Sequence, residues 1–493
     1  MSWPIGRTRS VDPDKILSRS STSRPEPGQV ASVATTKELS EAYNYEGRRQ
    51  ATSLMMGRDE ARNDPRRRIN RVTVGGVLIG ILVMAGFGIA GFLGAGSGPK
   101  LPESGAVLVA GTGDRYVIVD GRLHPALNLA SALLVGGGSS AQVRPAVLDD
   151  LPRGLPVGIP DAPDALPPPN RLTAAPWTVC AVPSGAATLP PQVTVRVGGP
   201  EPATGGIGAE QAVLAVAPDG AQWMLNQGRR YRLLDTASAR LTASRSAPLA
   251  LPAEVLDVLP EGPPIAVPTI PNAGRSAAGV PDALVTSDVV RVEAGGTTRQ
   301  SFVVLADGLA PVSEFTAALL VAAGAVEVPV DPATASTAAQ SRARAVGDPG
   351  WPDVLPQPVG PQRDQPLCLS TTPGEPAGDA PWTVRMSLPG VVLAPGEQPV
   401  FNRAGDVPWV VDQVVVPRGA GALVRATTSS GGDGALTLVT DSGLRFAVPT
   451  PEAAVRLRYD PAAAPAVPAP FVALLPAGPA LDPELAAREF TGR

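Results

Sequence analysis

Few residues in this chain can do chemistry. Among 493 residues there are two cysteines, Cys180 and Cys368, and one histidine, His124. A single imidazole cannot build a site that needs two, and two cysteines exclude Cys-rich zinc modules and most iron–sulfur sites. His124 lies in VDGRLHPAL just after a predicted hairpin, a context of turn formation or packing. With no GxSxG elbow in the chain, it would serve any Ser–His arrangement alone. Asp149, Asp150 and Asp257 recur with a VLD motif and could be imagined as acid and base, but at helix ends before proline they suit capping and solvation. The nearest approach to a phosphate loop, Gly94 to Lys100, has Pro99 before the lysine and no strand feeding a helix. No catalytic, cofactor-binding or metal site is therefore expected.

The elements around these residues follow from composition. Glycine and proline number 53 and 57, and aromatics are only 4% of the chain, so short strands joined by Gly/Pro turns are expected rather than long helical cores. Residues 1–71 hold 14 Lys/Arg against 9 Asp/Glu, whereas the remainder holds 27 against 36. Between them, residues 72–93 run from Val72 to Leu93 without a charge, 22 residues that as a helix cross a hydrocarbon core of about 30 Å. The basic lead of about 70 residues is too long for a signal-peptide n-region, so an uncleaved anchor is predicted. Arg58, Arg62, Arg66, Arg67, Arg68 and Arg71 crowd its N-terminal flank, and only Lys100 precedes Arg115 on the other. This asymmetry predicts an inside N-terminus. Gly76 and Gly80 have GxxxG spacing, a weak signal in so Gly-rich a segment.

Before the anchor, residues 1–36 mix Ser, Thr, Pro and Arg without periodicity and are expected to be disordered. Residues 37–57 place Leu39, Tyr43, Ala51, Leu54 and Met55 at helical intervals, predicting a short amphipathic helix. Its arginines suit anionic headgroups. Its apolar Leu54 and Met55 are the candidates for docking on a cytoplasmic partner.

Beyond the anchor the chain repeats itself. GAVLVAGTGDRYVIVDG from Gly105, QAVLAVAPDGAQWMLNQG from Gln211 and GALTLVTDSGLRFAVP from Gly434 each read as a β-hairpin carrying an aromatic, and VVRVEAGGTTRQSFVVLADG from Val289 is a fourth, divergent copy. Ala/Leu-rich helices are expected after three of them, from Leu127, Leu234 and Phe315. A proline-punctuated signature recurs from Val147, Val255 and Val472. APWTV recurs from Ala175 and Ala380. The order implies a duplicated half and a pseudo-two-fold body. Residues 331–366, and PAAAPAVPAP within 461–470, read as extended linkers. On the outer side an even cysteine count favours a disulfide between Cys180 and Cys368 over two buried free thiols. An acidic outer region without a basic stripe argues against nucleic-acid binding.

The predicted fold class is thus a single-pass membrane protein whose extracytoplasmic region is α+β, mostly β. Four hairpin-plus-helix repeats surround a central β domain. The divisions expected are a tail (1–36), arm and basic flank (37–71), anchor (72–93), repeats at 99–165, 205–272, 279–345 and 430–481, central parts at 166–204 and 346–425, and a tail at 482–493.

Taken together, YNYEGRRQATSLMMGRDE at 43–60, the single helix, RYVIVDGRLHPALNLASALL at 115–134, LPRGLPVGIPDAPDALP at 151–167, the WTVC motif and the distant second cysteine resemble the type VII secretion system protein family EccB. The resemblance covers nearly the whole chain. It implies a core component of an actinobacterial inner-membrane secretion machine that assembles with EccC, the motor ATPase, with EccD and EccE, with copies of itself and near the mycosin protease. ATP hydrolysis is sometimes ascribed to that family, and no nucleotide motif is readable here. Two other classes share the topology: a cell-wall-binding or envelope-sensing protein, and an envelope hydrolase using Asp149 or His124.

Overall fold

The computed structural model describes residues 35–56, 65–92, 101–184, 190–200, 205–242, 248–294, 298–343, 346–362, 364–373, 380–393, 396–402, 411–428 and 434–490. Of the tail expected to be disordered, 1–36, residues 1–34 lie outside these, as does the anchor's last residue, Leu93, whereas Thr36 already opens a helix. The chain divides into two units, 1–97 and 98–493.

In the first unit, helix Thr36–Met56 begins where Glu38 reaches back to accept from the backbone N–H and hydroxyl of Thr35, each at 2.9 Å. That bond satisfies a donor the helix leaves without an internal partner. Helix Pro65–Phe92 opens on a proline, whose missing N–H costs nothing in the first turn. Within it Ile69–Ile89 is the one stretch among the described residues long and apolar enough to cross a membrane, with mean hydropathy 2.3.

In the second unit the alternating runs become four sheets with one strand order, third–second–first–fourth. The first sheet has strands Gly105–Val109, Arg115–Val119, Arg122–Pro125 and Ser140–Val143. The second has Gln211–Val216, Gln222–Asn226, Arg229–Arg232 and Leu249–Ala250, with Gln357–Val359 pairing alongside its first strand. The third has Val289–Ala294, Thr298–Leu305, Gly308–Val312 and Glu327–Val330; the fourth has Ala422–Thr427, Ala435–Val439, Arg445–Val448 and Ala466–Pro468. In each, strands one to three form an antiparallel meander and the fourth lies parallel to the first after a helical crossover. The Asp120–Gly121 and Gln227–Gly228 turns place both central residues at positive φ, the geometry that joins tightly paired, twisted strands.

A six-stranded sheet lies at the centre, ordered Arg385–Ser387, Leu367–Thr371, Trp177–Val182, Gln192–Val197, Gln413–Val415, Phe401–Asn402. Its face bearing Trp177, Val179, Val195 and Leu369 shares one core with residues of the second and fourth sheets. A second core joins the first sheet's helix to the fourth sheet, and a third joins the second sheet to Phe315 and Leu319 of the third. Packing thus joins one pair distant in the chain and one pair consecutive in it. The first sheet packs on the fourth, and the third on the second.

Several sequence readings are corrected here. The segment from Gly434 covers the second and third strands of its sheet, whereas those from Gly105, Gln211 and Val289 cover the first and second. Phe446 is therefore on a third strand, and the fourth sheet starts at Ala422, inside the stretch assigned to the centre. The strand after the first PWTV is interior to the central sheet, while the second lies at its edge. Residues 331–366 and 461–470 are not linkers. They supply helix Pro332–Thr337, strand Gln357–Val359, the fully buried Val467 on strand Ala466–Pro468, and helix Ala469–Ala473. Pro332, Pro461 and Pro470 sit in first helical turns and Pro358 and Pro468 on edge strands, where the missing N–H is harmless. The 482–493 tail also carries structure through residue 490: Asp482 caps helix Pro483–Ala486, and the Phe490 N–H donates to Pro156 O at 2.7 Å.

Candidate functional sites: a bridged centre, an exposed arm and an apolar helix

Cys180 and Cys368 stand opposite each other on adjacent antiparallel strands, with Cα atoms 4.1 Å apart, and form a disulfide. Both are fully buried. Because successive residues point to opposite faces, their neighbours at even spacing share their side of the sheet. Thr178 and Ser370 hydrogen-bond there at 2.9 Å. Thr194 lies opposite Cys180, and Arg196, nearly fully buried, forms a bidentate pair with Glu397 at 2.8 and 3.0 Å and donates to Val392 O. One face of the central sheet is thus apolar core and the other a buried polar stripe stapled by the disulfide. Oxidised and enclosed, the sulfurs offer no thiolate for nucleophilic work.

His124 proves to be part of a packing device. In all four sheets an extended segment closes the meander by two hydrogen bonds to one residue at the start of the third strand: Leu123 with Pro152 and Gly154, Arg230 with Pro260 and Gly262, Leu309 with Ala339 and Ser341, Arg445 with Pro476 and Gly478. The next residue along the third strand is His124, Tyr231, Ala310 or Phe446. In three sheets a ring covers the facing glycine so closely that a Cβ at Gly154, Gly262 or Gly478 would strike it. The third sheet has Ala310 and Ser341 instead. His124 Nδ1 lies 2.9 Å from Leu155 O, holding the ring over its glycine. Burial pushes the Tyr231 phenol up.

The imagined carboxylates are dispersed. Asp149 and Asp150 are exposed, and Asp257 pairs with Arg230 at 2.6 Å, Arg230 also meeting Glu261 and lying over the Trp223 ring. No group of three or more His, Cys, Asp or Glu residues that could hold a metal ion occurs among the described residues. Gly94 to Lys100 lies outside them.

In the first unit, Leu54 and Met55 are 87% and 81% exposed near the end of the arm helix. Arg66, Arg67, Arg68 and Arg71 fall on the opening turns of the apolar helix, and Val72 lies inside it. Gly76 and Gly80 have nothing within reach of an added Cβ.

Sequence reasoning missed the Arg196–Glu397 pair, whose members are 201 residues apart. It also missed the matched helix caps Asn128, Asp235, Ser313 and Thr450, each accepting from a backbone N–H three residues on. Alignment of the repeats on the residue before each helix would have found the caps. Asn128 and Asp235 also bind the returning segment, through Ile159 O and the Val267 N–H. Burial works to raise the Asp235 pKa, but hydrogen bonds from Ser238, Val267 and Ala237 outweigh it and hold the carboxyl below its usual value.

The comparisons with known proteins agree along the chain. The family model described as type VII secretion system ESX-1, transport TM domain B, matches residues 32–492. The ESX-2 secretion system ATPase EccB2 of Mycobacterium tuberculosis is 31% identical over 422 residues, covering 77% of this chain and 80% of that protein. A chain in the structure of an intact ESX-5 inner membrane complex is similar, with TM-score 0.63 and 26% identity over 94% of this chain and 97% of its own length. A chain in the structure of the EccB3 dimer from the ESX-3 core complex gives TM-score 0.63 at 25% identity, over 78% of this chain and all of that one. With nearly its whole length matched by the family model, and with both its sheet-rich unit and its apolar helix found in chains of that kind, this chain belongs to the EccB family of type VII secretion systems.

Proposed function

We propose that this chain is a structural core component of a type VII secretion machine in the inner membrane, linking cytoplasmic motor components to the assembly outside. The observation that carries this is its likeness, over 94% of its length, to a chain of an intact ESX-5 inner membrane complex. The basic flank at Arg66, Arg67, Arg68 and Arg71 supports a cytoplasmic N-terminus, which puts the 98–493 unit in the periplasmic space. EccC, EccD and EccE type components and the mycosin protease are the proposed partners. Leu54 and Met55 of the arm supply the apolar anchors for a cytoplasmic contact. A dimer of the ESX-3 relative supports self-association.

The outer unit is read as four copies of one motif around a central β domain with pseudo-two-fold symmetry. Four features support this: the shared strand order, the matched closing hydrogen bonds, the two cysteines on facing strands, and the reciprocal packing of first sheet on fourth and third on second. The repeats are assigned to 99–165, 205–272, 279–345 and 422–481. The EccB2 relative carries the name ATPase, yet the reading here is of scaffolding rather than turnover, supported by the His124 ring being committed to Gly154 and Asp257 to Arg230.

Purification of the full chain in mild detergent, with mass spectrometry of co-purifying proteins, tests the assignment. The other type VII membrane components should accompany it in fixed ratio, and isolation as a free protein from cells making the whole system would overturn it. Thiol labelling of intact cells tests the topology, with Thr112→Cys marked from outside and Ser21→Cys left unmarked.

A further inference from the structure

The third sheet departs from the other three in a way that opens a cavity. On one face, the row Val289–Val303–Ala310 is covered by helix Glu314–Ala322 through Ala317 and Leu320. Two residues along, the row Arg291–Ser301–Val312 shares that face and is left uncovered, lining a cavity of about 460 Å³. The corresponding rows elsewhere are occupied. In the fourth sheet Leu436 and Val448 are core residues, in the second Leu233 is, and in the first Arg115 pairs with Asp164 at 3.0 Å.

The chemistry of the cavity is specific. Both carboxylate oxygens of Glu327 hold the Arg291 guanidinium at 3.0 Å, so that charge is cancelled. Glu314 and Asp353 also line the cavity, and their carboxylates have no ion pair or hydrogen bond among the described residues. Val312 and Val354 supply apolar wall. Ser301 is nine-tenths buried, and its hydroxyl has no hydrogen-bond partner among the described residues. Its oxygen is reached from the cavity rather than sealed in the core, so it can serve a ligand there.

We propose that this cavity is a recognition site for a basic side chain, arginine foremost, presented by a partner polypeptide. The apolar stem lies against Val312 and Val354, and the guanidinium meets Glu314 and Asp353. Its fork of five N–H donors has one to spare for the Ser301 hydroxyl. The volume falls in the range of small-ligand sites and suits one long side chain rather than a folded element.

The test uses the full chain in detergent and the peptide Ac-Ala-Ala-Arg-Ala-Ala-NH2, with its citrulline counterpart as the uncharged isostere, followed by saturation-transfer NMR and calorimetric titration. The arginine peptide should bind saturably and at least about tenfold more tightly than the citrulline peptide, with affinity falling as salt rises. Glu314→Gln with Asp353→Asn should remove that preference while leaving the melting temperature unchanged. Ser301→Leu, which copies Leu436 of the fourth sheet, should abolish binding by filling the cavity. Absence of saturable binding, equal affinity for the two peptides, or binding unaltered by the carboxylate substitutions would each overturn the proposal.

Discussion

Gly478→Ala isolates the packing device that the repeats share. Gly478 donates its N–H to Arg445 O at 2.8 Å, which fixes the backbone, and its φ is one that alanine adopts without strain. The added methyl therefore acts sterically alone. It would overlap the edge of the Phe446 ring and come within 3.0 Å of Cζ, and Phe446 is 1% exposed inside the core joining the first and fourth sheets. Overpacking of this kind costs about 1–3 kcal/mol, enough to lower the melting temperature by about 2–6 °C. Phe446→Ala alone removes a buried ring at about 3–5 kcal/mol, but it also removes the obstacle. In that background Gly478→Ala should cost almost nothing, leaving a coupling of about 1–3 kcal/mol in the double-mutant cycle. Thermal melts of the purified chain followed by circular dichroism read all four states. Additive losses, or a Gly478→Ala protein that melts like the parent, would refute the steric argument.

Cys180→Ser and Cys368→Ser should each lower stability by up to about 5 kcal/mol, because the bridge closes a separation of 188 residues. The double variant should be no worse than either, and urea midpoints decide it. Asp235 has its folded-state pKa depressed, so its contribution is whole above the ordinary 3.8 and is lost as pH falls through the lowered value. Asp235→Asn should therefore cost stability at pH 6 and flatten the acid limb of a urea-midpoint profile below pH 4. Purified protein should show no saturable Mg²⁺-dependent ATP turnover once contaminating ATPases are removed, as a coupled phosphate-release assay reports.

Much of this architecture is legible in the sequence wherever local rules decide it. Alternation around Gly/Asp turns marks the hairpins, apolar residues at helical intervals mark the arm helix, and uncharged length marks the apolar helix. What sequence could not settle is which hairpin of a three-stranded meander a segment belongs to. The Gly434 segment alternates as well as the others do, and its missing first strand is separated from it by the Gly/Ser-rich run 428–434. Prolines misled in the same way, since a strand edge, a helix start and a linker all accept them, and only pairing partners distant in sequence tell them apart. The cysteines were found by counting. The Arg196–Glu397 pair and the Arg291–Ser301–Val312 row exist only through register between strands, which no local pattern encodes.

The central claim is that this chain holds a membrane assembly together through surfaces rather than catalysis, with Leu54 and Met55 as its cytoplasmic contact. Native-gel migration of the detergent-extracted complex from cells carrying Leu54→Asp with Met55→Asp tests it most directly. The variant should leave the large complex and migrate as a smaller species while still inserting in the membrane with its outer unit folded. Migration and secretion unchanged from the parent would contradict the account.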